Sequence, residues 1–260
     1  MKIQLLVSAI ATAMVATAIP SFGQMAAPAM LNVVHYRVKV DHIQEFEEVE
    51  KQIAGSYKKA SPTDQFRVVY RGTVGNTMDF EVLTPISKFA DRDAENPYNK
   101  MATEQERLTR AARLGPYLEN VQTTIEKTLP DLGIDTPGAP FPPAYIHLIR
   151  IRVKGGSADD FSAVVKNDLI PALKKADMKT LHARRTLLGG VGDYYFAEGF
   201  QKWAEMDAPE NLPKIMGQEP YRKMMDKLNQ IVTLREDTIW RYQADLSYYP
   251  SAGATTTSSK

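Results

Sequence analysis

Thr124-Ile125-Glu126-Lys127-Thr128-Leu129-Pro130-Asp131-Leu132 returns 114 positions later as Thr238-Ile239-Trp240-Arg241-Tyr242-Gln243-Ala244-Asp245-Leu246. Two further pairs follow in the same order. Arg37-Val38-Lys39-Val40 matches Arg150-Ile151-Arg152-Val153 at an offset of 113. Lys88-Phe89-Ala90-Asp91-Arg92-Asp93 matches Lys202-Trp203-Ala204-Glu205-Met206-Asp207 at 114. Collinear anchors at a nearly constant offset point to a duplicated unit, and each copy can be read against the other.

The first copy opens with Val33 to Val40, alternating and β-branched, a strand. Phe46, Val49, Ile53 and Tyr57 then fall on one face of a helix. Phe66 to Arg71 and Met78 to Leu83 read as strands around the turn Gly72 to Asn76. Leu108 to Leu118 reads as a second helix broken near Gly115-Pro116, and Thr123 to Leu129 as a fourth strand. The second copy repeats this order. Tyr145 to Val153 is a strand, and Ser157 with Asp160 resembles a capping box. Phe161 to Leu169 forms a helix face, with Pro171 within or just after its end. Lys179 to Leu187 and Tyr194 to Phe200 are strands, Tyr221 to Val232 a helix, and Asp237 to Gln243 the last strand. Gly189-Gly190-Val191-Gly192 joins two strands, opens no helix and has no P-loop lysine, so it reads as a hairpin turn.

Residues 1–23 have the form of a secretory signal, with Lys2, an uncharged stretch from Leu5 to Ile19, and Ser21-Phe22-Gly23 before Gln24. Export to the periplasm or the extracellular space follows as the expectation, with no stable membrane span after cleavage. Repeat one then covers 24–135, a Pro-rich linker 136–143, repeat two 144–249, and a small polar tail expected to be disordered 250–260. The chain has no cysteine, which excludes disulfides, thiol nucleophiles and thiolate metal ligands. Without Lys2, 31 basic side chains face 31 acidic ones. That balance gives nucleic acid and anionic membranes no basic patch to hold.

A β-α-β-β-α-β order is the split βαβ of ferredoxin-like units, with helices on one sheet face only. The other face needs cover. Two copies supply it: an α+β architecture of two tandem ferredoxin-like repeats, antiparallel sheets packed face to face as an α+β barrel, helices outside. On these residues the chain resembles the dimeric α+β barrel superfamily in fused two-repeat form. It is similar to antibiotic-biosynthesis-monooxygenase-like and NIPSNAP-like domains. The resemblance rests on the element order, the repeat and an aromatic-acidic step after strand three, Phe89-Ala90-Asp91 and Trp203-Ala204-Glu205. Before the second helix stand Asn96-Pro97-Tyr98 and Glu219-Pro220-Tyr221. A superfamily that includes oxygenases, haem-handling proteins and isomerases sets the fold and leaves the chemistry to the residues.

Alternation sorts the strand faces. Val34, Tyr36, Val38 and, in the second copy, His147, Ile149 and Ile151 take the helix side. His35, Arg37, Arg67, Arg71, Asp79, Glu81, Glu126, Leu148, Arg150, Arg152, His182, Arg184, Trp240 and Tyr242 are expected in the lumen. Glu198 has no clear side. The arginines with Glu126, Trp240 and Tyr242 are the candidate ligand-binding residues, with Tyr36 as further wall. His35 and His182 are the candidate catalytic or haem ligands. Two readings of the lumen stay open and compatible: charges paired across the sheets, or a polar cavity in which Arg forks hold an anionic or carbonyl-bearing small molecule.

No two histidines stand at metal-binding spacing, no serine elbow is present, and no metal is expected. Trp203 is read as a buried anchor. Three roles remain in play: a cofactor-independent monooxygenase-like enzyme, a ligand- or haem-binding module without turnover, and a structural or assembly protein with a salt-bridged lumen. Monomer and homodimer are both compatible with a fused barrel.

Overall fold

The computed structural model describes residues 28–60, 62–93, 112–137, 139, 141–207 and 212–250. The signal segment, the polar tail from 251, the Asn96-Pro97-Tyr98 step and the start of the second helix of repeat one lie outside these residues. The elements are β1 (Met30–Val38), α1 (Ile43–Ala60), β2 (Val68–Val74), β3 (Asp79–Ile86), β4 (Leu118–Thr128), β5 (Ile134–Asp135), β6 (Tyr145–Val153), α2 (Ala158–Val164), α3 (Ile170–Lys175), β7 (Thr180–Leu188), β8 (Tyr194–Phe200), α4 (Leu212–Met216), α5 (Gln218–Ile231) and β9 (Val232–Tyr242). Eight strands pair in the order β4-β1-β3-β2-β9-β6-β8-β7, all antiparallel, and β7 returns to pair with β4. The sheet is thereby a closed barrel, and β5 adds two residues beside β7.

The halves meet at two seams, β2–β9 and β4–β7, and the seams have one register. Tyr70 faces Tyr242 and Gly72 faces Trp240 at the first; Arg184 faces Thr128 and Thr186 faces Glu126 at the second. Each position differs from its counterpart by 114. The strands after the seams cross over likewise: Ile134 pairs with Leu181, and Tyr248 bridges Arg67. The first strands are shifted. His35 pairs with Glu81 and Gln122, and Arg150 with Tyr195 and Glu236. Both carry a bulge, at Arg37/Val38 and Arg152/Val153. The structural offset there is 115, so Arg37 corresponds to Arg152 and His35 to Arg150. The sequence match at 113 is two residues out, and a two-residue slip leaves inward and outward faces unchanged.

Three cores result. Phe46, Val69, Phe80 and Val82 pack between α1 and the first half-sheet. Phe161, Val165, Leu173, Tyr194 and Phe196 do the same for the second. Phe66, Val68, Tyr70, Ile146, Leu148 and Trp240 fill the lumen. Pro171 lies inside a helical run. A π-turn over Val165–Leu169 joins α2 to α3 there, consistent with a ring that lacks an N–H to close the normal i−4 bond. Ser157 makes no side-chain cap, so the expected capping box is absent. β4 begins at Leu118 and β9 at Val232, both several residues earlier than the apolar pattern predicts, because exposed polar residues at their starts hide the alternation.

Candidate ligand site in the barrel lumen

The aromatic-acidic steps are matched local structures. Asp91 Oδ2 accepts the backbone N–H of Ser87 and Lys88, both at 2.9 Å. Glu205 Oε1 accepts those of Gln201 and Lys202 at 3.2 and 2.9 Å. The carboxylate thus closes the turn leaving the third strand in each half. Trp203 is 44% exposed, not a buried anchor; it leans on Tyr145 and Phe200 from outside.

Inside the barrel, β3, β4 and β7 bring Glu81, Glu126 and Arg184 together, all buried. Arg184 Nη2 donates to Glu81 Oε1, and its Nε lies 3.0 Å from Glu126 Oε2 without an aligned hydrogen bond. Thr124 Oγ1 donates to Glu126 Oε1 at 2.9 Å. His35 Nδ1 is 3.8 Å from Glu81 Oε2, an electrostatic neighbour. The guanidinium lies over Tyr195, 5.3 Å from its ring centre. Burial pushes the Glu81 carboxyl up, but Arg184 and His35 outweigh it and hold it below the usual range. Burial raises Glu126; Arg184 opposes this, Glu81 adds to it, and the net shift is upward. Burial lowers His182; Asp135 opposes this, Arg184 adds to it, and the net shift is downward, towards the neutral ring.

Beside this cluster lies a cavity of ≈ 120 Å³. Leu31, Phe66, Val68, Leu83, Ile146 and Ala197 give it apolar walls, and Arg184, Thr128, His182 and Asp135 give it a polar rim. Pro28, Phe141, Pro143 and Tyr249 close it from outside the sheet, with Phe141 edge-on to His182 at 5.8 Å. Arg184 Nη1 and Thr128 Oγ1 are buried with no hydrogen-bond partner among the described residues.

The expected lumenal residues divide. His35, Glu126, His182, Arg184, Trp240 and Tyr242 lie on the lumenal face; Trp240 Nε1 donates to Thr238 at 2.8 Å, and Tyr242 packs on Tyr70. Arg150 and Arg152 converge at one mouth on the buried Asp193, at 2.7 Å each. Arg37 pairs with Asp79 at 2.8 Å on the rim. These three are spent on carboxylates. Arg67 and Arg71 are corrections: both point to the helix side, Arg67 onto Glu50 and Leu246 O, Arg71 onto Glu47 at 3.1 Å. Both faces of β2 are covered, and putting its apolar face under the helix turned it the wrong way: its lumenal face is Phe66, Val68 and Tyr70, and the face with Arg67, Val69 and Arg71 meets α1. Tyr36 likewise packs on Phe46 on the helix side. Sequence reasoning missed Tyr70 and Tyr195 as lumenal wall. The acidic pair Glu47 and Glu50 on α1 was the available signal, since buried carboxylates demand cations from the strand they cover. His147 is held by Asp237 at 3.0 Å, with Glu198 3.5 Å away, which places Glu198 on the helix side.

Among the described residues no group of three His, Cys, Asp or Glu could hold a metal ion. No helix among them is long and apolar enough to cross a membrane.

No family model and no curated protein matches the sequence. Solved structures do. A "putative monooxygenase" from Lactobacillus acidophilus NCFM is 11% identical, with 86% of this chain and 97% of that chain covered at a TM-score of 0.55. A "putative monooxygenase" from Fusobacterium nucleatum subsp. nucleatum is 11% identical, over 88% and 97%, at 0.58. An anthrone oxidase-like protein is 8% identical, over 89% and 96%, at 0.59. At such identities the likeness is one of fold. The architecture is that of the dimeric α+β barrel, closed here by the two halves of a single chain.

Proposed function

We propose that this protein is a fused pair of ferredoxin-like units whose lumen binds a small molecule at the Arg184 end. One observation carries this reading: the rim of a mostly apolar cavity holds a buried guanidinium nitrogen without a hydrogen-bond partner among the described residues. A donor left unpaired in a dry interior is strongly disfavoured, and a ligand acceptor relieves it. The names of the similar structures favour a small-molecule barrel in general terms. In the enzyme version, a cofactor-independent monooxygenase-like activity, His182 is the base, because its neutral ring lines the cavity. His182→Gln then abolishes turnover and leaves binding intact.

A haem does not fit this site. The cavity is well below the roughly 300–1,000 Å³ of ordinary ligand pockets, and Phe141 stands against His182. A purely structural role is the second reading, favoured by the Arg150–Asp193–Arg152 and Glu81–Arg184–Glu126 groups that join strands. We also propose export by residues 1–23, with the mature chain starting at Gln24, and a monomer, since among the described residues the two seams leave no long free strand edge for a second copy.

Native mass spectrometry of the purified chain tests the binding reading. A bound mass lost in Ala197→Ile, which fills the cavity, supports it; a ligand-free spectrum together with no small-molecule thermal shift refutes it. Sequencing of the exported protein's N-terminus tests cleavage.

A further inference from the structure

We infer that the lumenal ligand is a molecule of about one ring whose polar end is an uncharged hydrogen-bond acceptor, held jointly by Arg184 Nη1 and Thr128 Oγ1. The inference rests on the lumenal-binding reading above and narrows it to a chemical class.

Size comes first. An apolar cavity of about 150 Å³ takes up benzene, and the lumen offers ≈ 120 Å³. That admits one ring or an equivalent branched chain and excludes fused polycycles. Donor placement comes second. Thr128 and Arg184 are direct partners across the β4–β7 seam. Their unpartnered atoms therefore belong to adjacent residues of one wall. A guanidinium only donates, so the ligand must accept. A carbonyl oxygen has two lone pairs and can take both donors.

Charge decides the rest. Arg184 already faces Glu81 and Glu126, and neither carboxylate is part of the cavity wall. The neighbourhood thus holds two carboxylates for one guanidinium. Asp135 adds a third acidic group on the rim, and His182 is held towards its neutral form by burial. An anionic ligand would bring a further charge into a buried site whose described lining holds no Lys or Arg besides Arg184. A neutral acceptor uses the free donor and disturbs no charge. The ammonium of a cationic ligand would meet Arg184 itself.

Three probes of similar size separate these classes on the full-length mature protein: acetophenone, benzoate and ethylbenzene, titrated by NMR at pH 7. The expected order is acetophenone first, at least about tenfold tighter than benzoate, with ethylbenzene between them. Thr128→Val, which keeps the side-chain shape, weakens acetophenone several-fold and leaves ethylbenzene unchanged. Ala197→Ile removes binding of all three. Benzoate bound as tightly as acetophenone overturns the ligand class and leaves lumenal binding standing. Unchanged selectivity in Thr128→Val overturns the shared-donor site. Binding that survives Ala197→Ile places the probes elsewhere and overturns the inference. No binding of any probe overturns both this inference and the reading beneath it.

Discussion

The two seams of the barrel are built on the same register and filled with opposite chemistry. At β4–β7 the inward positions are Glu126 and Arg184, with Glu81 beside them. The positions 114 residues away are Trp240 and Tyr70 at β2–β9 and Tyr195 on β8, all aromatic. One seam is closed by desolvated charge, the other by ring packing. One backbone register therefore accommodates either solution. Only the ionic seam leaves polar atoms over, and the cavity adjoins it. The asymmetry of the lumen lies in the side chains set on a shared register.

The sharpest way to break this comparison is Arg184→Ala. It strands two buried carboxylates and should cost about 3–5 kcal/mol, read from the midpoint of urea unfolding. Adding Glu81→Tyr and Glu126→Trp to Arg184→Tyr copies the aromatic seam onto the ionic one. That triple variant should recover most of the loss, because no orphan charge remains; a triple variant as unstable as Arg184→Ala would show that the seams are not interchangeable.

The hairpin glycines give a smaller effect. Gly189 has φ 82°, and a Cβ there would meet Thr123 O at 2.2 Å across the ionic seam. Its counterpart Gly75 has φ 106°, and its Cβ would meet only the Thr238 methyl at 2.9 Å. Gly189→Ala should cost about 1–3 kcal/mol, and Gly75→Ala less, since a side chain yields where backbone does not. Trp240→Phe, on the aromatic seam, forfeits the bond to Thr238 and should cost about 1 kcal/mol by thermal unfolding.

The smallest effect is a pH dependence confined to the second half. Hydrogen bonds to Glu198 and Asp237 raise the pKa of His147 against an opposing burial effect. The stabilisation is therefore fully present below about pH 6.5, the unfolded value, and fades as pH rises through the higher folded value. His147→Asn should flatten the stability profile over that window. Asn32, its counterpart in the first half, cannot titrate, so Asn32→Ala should leave the profile's shape unchanged.

Much of this was legible in the sequence. The run of strands and the inward face of most of them follow from alternation, and the lumenal positions of Glu126, His182 and Arg184 with them. The two-residue error in the first-strand match did no harm, because side-chain parity survives an even slip. Arg67 and Arg71 were misplaced because the apolar face of β2 was put under the helix, although Glu47 and Glu50 on α1 draw the arginine face to that side. A lumenal cavity was one of the two open readings, but its position and mostly apolar walls were out of reach. They depend on which strands adjoin at the seams and on Pro28, Phe141 and Tyr249, which come from three distant parts of the chain.

The seams also change what the segment between the halves does. Each half, taken alone, would present two open strand edges, β2 and β4 or β7 and β9, and an uncovered inner face. Such edges invite pairing with any passing chain. The short connection through residues 136–143 keeps the right edges at an effective concentration in the millimolar range, by the usual estimate for short tethers. Covalent linkage thus supplies partner choice: each half meets its own complement before it meets a stranger.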